Sequence, residues 1–340
     1  MKWAALALSL LLLAVASQRL YAWPLPFCWE LSVGSAEWGH WLALAALVLG
    51  LAVPLTRPIC FFTIAIGLAP CLAAARQPGF AWSRLVTGWG GRLEPDREIE
   101  YTPGLKMDVY LPAQVGPGVL VVHGGSWARG SRKDFRALNA YLRDQGYFVA
   151  SLDYRLAPAH TYPAACQDLD QAYDYVRQHA GELRLDPNRI GWLGRSAGAQ
   201  LALLEAYLRR PAGCVIAYYP PTDMLWSYEH PSNPRVLDSR ASIRDFLGAA
   251  PPAEVYAQAS PLQQVMPGAA PTLLLHGLRD DLVYAEQSRR LDSRLQELQV
   301  PCTTLYLPWA NHGCDINLAG PSGQLCTAAV TDFLERNLRP

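Results

Sequence analysis

The sequence predicts an α/β protein: a mostly parallel central sheet with helices on both faces, preceded by a strongly apolar helical region. Three observations predict it. Strands are read near 118–123, 148–153, 189–194, 214–219, 271–276 and 302–307, and Gly118–Val122 is a continuous apolar run, as suits a strand covered on both faces. Helical stretches near 132–146, 163–180, 197–210, 284–299 and 322–336 separate them, the pattern of crossover connections. Residues 1–80 are a different material, dominated by Leu and Ala.

In chain order, Trp3–Ala16 is apolar behind Lys2, and neither Trp38–Leu55 nor Ile59–Ala75 carries an Asp, Glu, Lys or Arg. Each run approaches the length that crosses a bilayer, so residues 1–80 are expected to hold two or three transmembrane helices. The Thr56-Arg57-Pro58 turn makes the last two a helical hairpin. Ala14-Val15-Ala16 followed by Ser17 also fits a cleavage site, so a removed signal peptide is the alternative for the first run. Either reading leaves Lys2 and Arg57 cytoplasmic and the rest of the chain outside, although Arg76 and Arg84 argue the other way. A third reading keeps these helices as a cap over the domain that follows.

Residues 91–340 form the second domain. Ile99–Leu111 alternates around Pro103-Gly104, an antiparallel hairpin at the sheet edge. The Gly118–Val122 strand runs into His123-Gly124-Gly125-Ser126-Trp127, where adjacent glycines let backbone N–H groups turn inward. Such donors suit charge developing on a carbonyl oxygen. The candidates are Gly124, Gly125 and Ser126, with the amides of the last two foremost, joined by Ala197. Gly194-Arg195-Ser196-Ala197-Gly198 has the G-x-S-x-G form of a sharp strand-to-helix turn that lifts a serine above the sheet.

An acid and a histidine should follow, each after a later strand. His276-Gly277-Leu278-Arg279-Asp280-Asp281-Leu282-Val283 supplies the acid, Asp280, with Asp281 as its competitor. Asn311-His312-Gly313 supplies the base, His312, with His276 read as a structural histidine. Asp153 and Arg155 are read as holding the oxyanion loop. The alternation breaks near 221–266, where prolines interrupt Trp226, Tyr228, His230 and Phe246, so an insertion over the site is expected.

These motifs resemble those of the α/β-hydrolase esterases of the hormone-sensitive-lipase and BD-FAE type, a group that includes arylacetamide deacetylases and kynurenine formamidases. The matching residues are His123-Gly-Gly-Ser-Trp127, Asp153-Tyr154-Arg155-Leu156-Ala157-Pro158, Gly194-Arg-Ser-Ala-Gly198, His276-Gly-x-x-Asp280-x-x-Val283 and Asn311-His312-Gly313. The resemblance covers roughly 95–340. It implies the α/β-hydrolase fold and a Ser196–His312–Asp280 triad, with the family's aspartate falling on Asp280. Many hormone-sensitive-lipase relatives have a third glycine where this chain has Ser126, and Trp127 looks more like the BD-FAE and formamidase branch.

Composition excludes other classes. Lys plus Arg equals Asp plus Glu at 29 each and no basic cluster occurs, so nucleic acid is not an expected partner. No metal-ligand spacing or dinucleotide fingerprint is present, and serine chemistry needs neither metal nor cofactor. Five of the cysteines lie in the second domain; Cys314 and Cys326 could pair in an oxidising compartment or stay as buried thiols. The expected activity is hydrolysis of a small-molecule, lipid or glycan ester by a membrane-anchored serine esterase facing the extracytoplasmic side. An amidase, a formamidase or an O-deacetylase would use the same parts. A scaffold that only binds partners would typically lack a triad member, and Ser at 196 excludes the cysteine nucleophile of dienelactone-type hydrolases.

Overall fold

The computed structural model of the chain describes residues 2–22 and 26–339. Four apolar helices come first: α1 (Lys2–Ser17), α2 (Pro26–Glu37), α3 (Gly39–Ala52) and α4 (Arg57–Ala74). Then follow eight strands: β1 (Arg97–Thr102), β2 (Leu105–Tyr110), β3 (Gly116–Val122), β4 (Phe148–Leu152), β5 (Leu185–Arg195), β6 (Cys214–Tyr218), β7 (Thr272–Gly277) and β8 (Cys302–Leu307). They form one sheet in the order β1-β2-β4-β3-β5-β6-β7-β8. β1 pairs antiparallel with β2, and β2 with β4; every pairing from β4 to β8 is parallel.

β3 shows why the sheet is covered twice. All its residues are buried, and alternate side chains serve opposite faces. Leu120 and Val122 join the core under helices Ala164–Gln178, Ala197–Leu204 and Glu286–Glu297. Val119 and Val121 join the core under helices Arg136–Asp144 and Pro321–Leu338. With the strands parallel, the turns after β3, β5, β7 and β8 all emerge at one sheet end, as the candidate site requires.

The expected hairpin forms β1 and β2, turning at Gly104, whose φ of 81° favours glycine. The expected helix over 197–210 ends earlier: Ala197–Leu204 is α-helical and Glu205–Arg209 continues as a wider π turn. The 221–266 insertion consists of four short helices between β6 and β7. Asp223 ties it down, accepting from Trp226 N at 3.0 Å at the start of Met224–Glu229 and pairing with Arg290 Nη2 at 2.7 Å.

The N-terminal region is a hairpin with a docked arm. α3 and α4 are antiparallel, their backbones so close that a Cβ on Gly67 would lie 2.4 Å from Gly39 O. The Pro54–Ala74 unit is long and apolar enough to cross a membrane, whereas α1 and α3 are shorter, and α2 and α3 meet at a 79° bend. Outward faces carry Trp3, Leu11, Val48, Leu51, Phe61 and Phe62 exposed to their surroundings. Ala36 and Ala74, by contrast, are buried in the core beneath Pro321–Leu338.

Gly67→Leu should therefore force the α3–α4 pair apart at a cost of about 1–3 kcal/mol. The measurement is the Tm of the full chain in detergent, which should fall; an unchanged Tm would show that the two helices do not meet as described.

Candidate active site

The turn that carries Ser196 is built by steric exclusion. Ser196 directly follows β5 with φ 53° and ψ −122°, a backbone conformation uncommon for a residue with a side chain. Its N–H donates to Tyr218 O at 2.9 Å, and its carbonyl accepts from Ala199 N at the same distance. A Cβ on Gly194 would sit 2.2 Å from Gly198 O, and one on Gly198 would sit 2.2 Å from His123 O. The flanking positions thus have no room for any side chain. Ser196 Oγ has no hydrogen-bond partner among the described residues and faces a cavity of about 580 Å³ that His312 also lines.

The loop after β3 is held against this turn. Gly124 packs on Arg195 O, which a Cβ would approach to 2.9 Å, and Gly125 has φ 112°. Ser126 and Trp127 follow with φ of 54° and 58°. The N–H groups of Gly125, Ser126 and Ala197 donate to no acceptor among the described residues, and all three residues line the cavity. These are the oxyanion candidates named from the sequence, with Gly124 beside them on the same lining.

The Asp153–Ala157 loop supports that arrangement unequally. Tyr154 Oη donates to His123 O at 3.1 Å and its ring stacks on His123 at 4.3 Å. Asp153 accepts from Arg132 N at 2.9 Å, fixing the far end of the loop. Arg155 departs from expectation: it pairs with Asp168, Nε to Oδ1 at 2.8 Å, and braces the following helix instead. Trp127 is buried, donates Nε1–H to Gln200 Oε1 at 2.9 Å, and stacks on Phe246 of the insertion at 4.5 Å.

The acid and the imidazole meet directly. His312 Nδ1 lies 2.7 Å from Asp280 Oδ2. A carboxylate can only accept, so Nδ1 carries the hydrogen and Nε2 is left as the free base. Asp280 Oδ1 accepts from Leu282 N at 3.0 Å and Val283 N at 2.9 Å. Burial by itself would push this carboxyl up, but the charge and hydrogen bonds of His312 and His276 outweigh it and hold Asp280 well below the usual carboxylate range. Asp281 differs. Burial and the neighbouring Asp280 charge push its carboxyl up, and its Oδ1 has no hydrogen-bond partner among the described residues. His276 is structural, as read from the sequence. Its Nε2 faces the Val283 carbonyl at 2.8 Å and its Nδ1 faces Ser288 Oγ at 2.7 Å.

Several lining residues were not found from the sequence. Trp29, Val33 and Gly34 of α2, with Trp38 just beyond it, form one wall of the cavity. Trp29 stands 6.4 Å from the His312 ring, and Asn311 Nδ2 reaches Ser32 Oγ at 3.4 Å. Arg279 of the acid loop donates to Leu20 O at 2.8 Å. No periodic signal marks residues 18–37 as a site segment, since α2 binds through loops distant in sequence. Arg195 was also missed; its Nε pairs with buried Asp315, which Tyr219 Oη contacts at 2.7 Å. Of the insertion's aromatics, Trp226 and His230 line the cavity, while Tyr228 packs near Tyr256. The cysteine sulfurs are free thiols; Cys314 and Cys326 are in contact, which together with burial pushes the Cys314 thiol up.

The sign of the Asp280 shift sets a pH dependence. A carboxyl depressed on folding stabilises the fold above its unfolded value, about 3.9, and loses that contribution only as pH falls further. Asp280→Asn should therefore lower the Tm at neutral pH and lower it far less near pH 2. An equal loss at both values would mean that the carboxylate charge is not what the two imidazoles stabilise.

The BD-FAE family model matches residues 107–295. Esterase LipC of Mycobacterium tuberculosis is 31% identical over 237 residues, 63% of this chain and 58% of LipC. Carboxylesterase NlhH of the same organism is 37% identical over 175 residues, covering 47% of this chain and 53% of NlhH. The chain thus spans little more than half the length of these curated relatives. Among solved structures, a propionate-bound Thermogutta terrifontis esterase, Est2, superposes with a TM-score of 0.61 at 23% identity, over 73% of this chain and 97% of its own. A bacterial heroin esterase gives 0.63 at 24%, over 72% and 84%. These likenesses carry the α/β-hydrolase fold, and the family match spans every element from β2 to the helix after β7. The chain belongs to the BD-FAE family.

Proposed function

We propose that this protein is a membrane-anchored serine esterase that hydrolyses carboxylic esters through a covalent acyl-enzyme. The observation that carries the reading is the common cavity: Ser196, His312 and the residues of the unpaired amides, Gly125, Ser126 and Ala197, all border it, with Asp280 buried behind His312 at 2.7 Å. Ser196 Oγ attacks the ester carbonyl as His312 Nε2 takes its proton. The tetrahedral oxyanion is met by the three amides, and His312 returns the proton to the leaving alcohol. Water then repeats the sequence on the acyl-enzyme. Asp280 keeps the imidazole in the required tautomer and offsets its transient charge. The names of LipC and NlhH support carboxylic esters as the substrate class.

The membrane reading rests on the apolar outer faces of α1, α3 and α4, which would be costly to leave in water. An antiparallel α3–α4 hairpin begins and ends on one side, and both its beginning at Trp38 and the end of α4 adjoin the hydrolase. Lys2 and Arg57 then lie on the opposite, cytoplasmic side, and the catalytic domain is extracytoplasmic.

Ser196→Ala should lower kcat/KM on short p-nitrophenyl esters by roughly 10⁴ or more with an unchanged Tm. Retention of a tenth of the activity would rule out Ser196 as nucleophile. Asp280→Asn should cost far more activity than Asp281→Asn; the reverse order would reassign the acid. Alkaline phosphatase fused after the C terminus should be active in a bacterial host, whereas activity of a cytoplasm-only reporter there would reverse the topology.

A further inference from the structure

α2 is the unexpected element of the cavity. It lies within the apolar N-terminal region, yet it is seated against the hydrolase: Ser32 Oγ accepts from Asn311 beside His312, Glu37 bonds the segment after His312, and Arg279 of the Asp280 loop holds the Arg19-Leu20 segment that precedes α2. The Glu37 carboxylate accepts from Ser322 N at 3.2 Å, and the Glu37 carbonyl accepts from Asn317 Nδ2 at 3.3 Å. Trp29, Glu30, Val33 and Gly34, and Trp38 one turn on, recur at helical spacing, so one stripe of α2, apolar except for Glu30, faces the cavity. Trp38 also leads directly into α3, so the cavity reaches the root of the apolar hairpin.

Gly34 is singular in this stripe. It sits inside a helix where the backbone does not require glycine, and a Cβ added there meets no atom of the described residues within 4 Å. The glycine leaves space in the cavity wall. A cavity near 580 Å³ is ample for a bulky ligand, and the opposite side adds Ile243, Val236 and Leu237 of the insertion.

We propose that the substrate is an amphiphilic ester carrying a long apolar chain, and that α2 is the wall selecting that chain, with Gly34 leaving the room it occupies. This rests on the esterase reading and deepens it. The N-terminal region is then part of the specificity pocket as well as an anchor.

The test uses the full chain in detergent micelles with two substrate series, p-nitrophenyl esters from acetate to dodecanoate and alkyl acetates from ethyl to dodecyl. Gly34→Leu fills the open space, and removing a glycine from a helix interior favours the helix. In at least one series it should lower the long-to-short ratio of kcat/KM by about ten-fold or more, the scale at which pocket shape discriminates apolar groups. Val33→Ala enlarges the same wall and should move that ratio upward. The series that responds identifies whether the acyl or the alcohol half of the ester lies against α2. Ratios unchanged in both series, or moved in the same direction by both variants, would overturn the proposal. A Ser196→Ala protein that keeps its turnover would instead sink the esterase reading itself, whatever the ratios do.

Discussion

Everything at the site depends on how closely two backbone segments approach where β3 and β5 end. The turn after β5 passes so near His123 that residue 198 has no space for a methyl group, and residue 194 is closed off by residue 198 itself. That contact places Ser196 at the head of helix Ala197–Leu204 and sets the Ala197 amide beside those of Gly125 and Ser126. It also forces positive φ at Ser196, Ser126 and Trp127. Such strain persists only when the surroundings over-determine it. Here the surroundings are the fully buried β3, the buried Ile190–Arg195 end of β5, the Tyr154–His123 stack and the Trp127–Phe246 stack, which hold the loop from behind.

The other half of the site is electrostatic. Asp280 is completely buried, which would favour its neutral form, yet two imidazoles and two backbone amides keep it ionised. The same arrangement separates it from Asp281, one residue away, whose carboxyl is pushed in the opposite direction. Burial pushes both carboxyls up, and only Asp280 has the imidazoles that reverse it. The acid and histidine loops are in turn tied to the N-terminal region, through Arg279 to Leu20 and Asn311 to Ser32. Disturbing the apolar helices should therefore reach the imidazole through two hydrogen bonds.

Much of this was legible in the amino-acid sequence because its causes are local. A buried parallel strand must be apolar on both faces, so β3, β4, β6 and β7 are legible in the sequence. The glycines at 124, 125, 194 and 198 mark places where backbone meets backbone. The choice of Asp280 over Asp281 follows from the loop after β7, the family pattern agrees with it, and the geometry adds the reason. What stayed hidden was non-local. Nothing near Trp29 or Gly34 reveals that they face Ser196, far along the chain, and Arg155 gives no sign that it braces Asp168 and not the oxyanion loop. The apolar runs were read by length as membrane spans, whereas α2 between them carries Glu30 and Glu37 and packs against the hydrolase.

The most direct test of the central claim is to identify the residue that carries the acyl group. The full chain would be treated with a fluorophosphonate, which reacts with an activated serine, then digested and mapped by tandem mass spectrometry. The account predicts a single adduct on Ser196, with labelling abolished when His312 is replaced by Ala. An adduct on any other residue, or an esterase whose activity survives with Ser196 unlabelled, would contradict it.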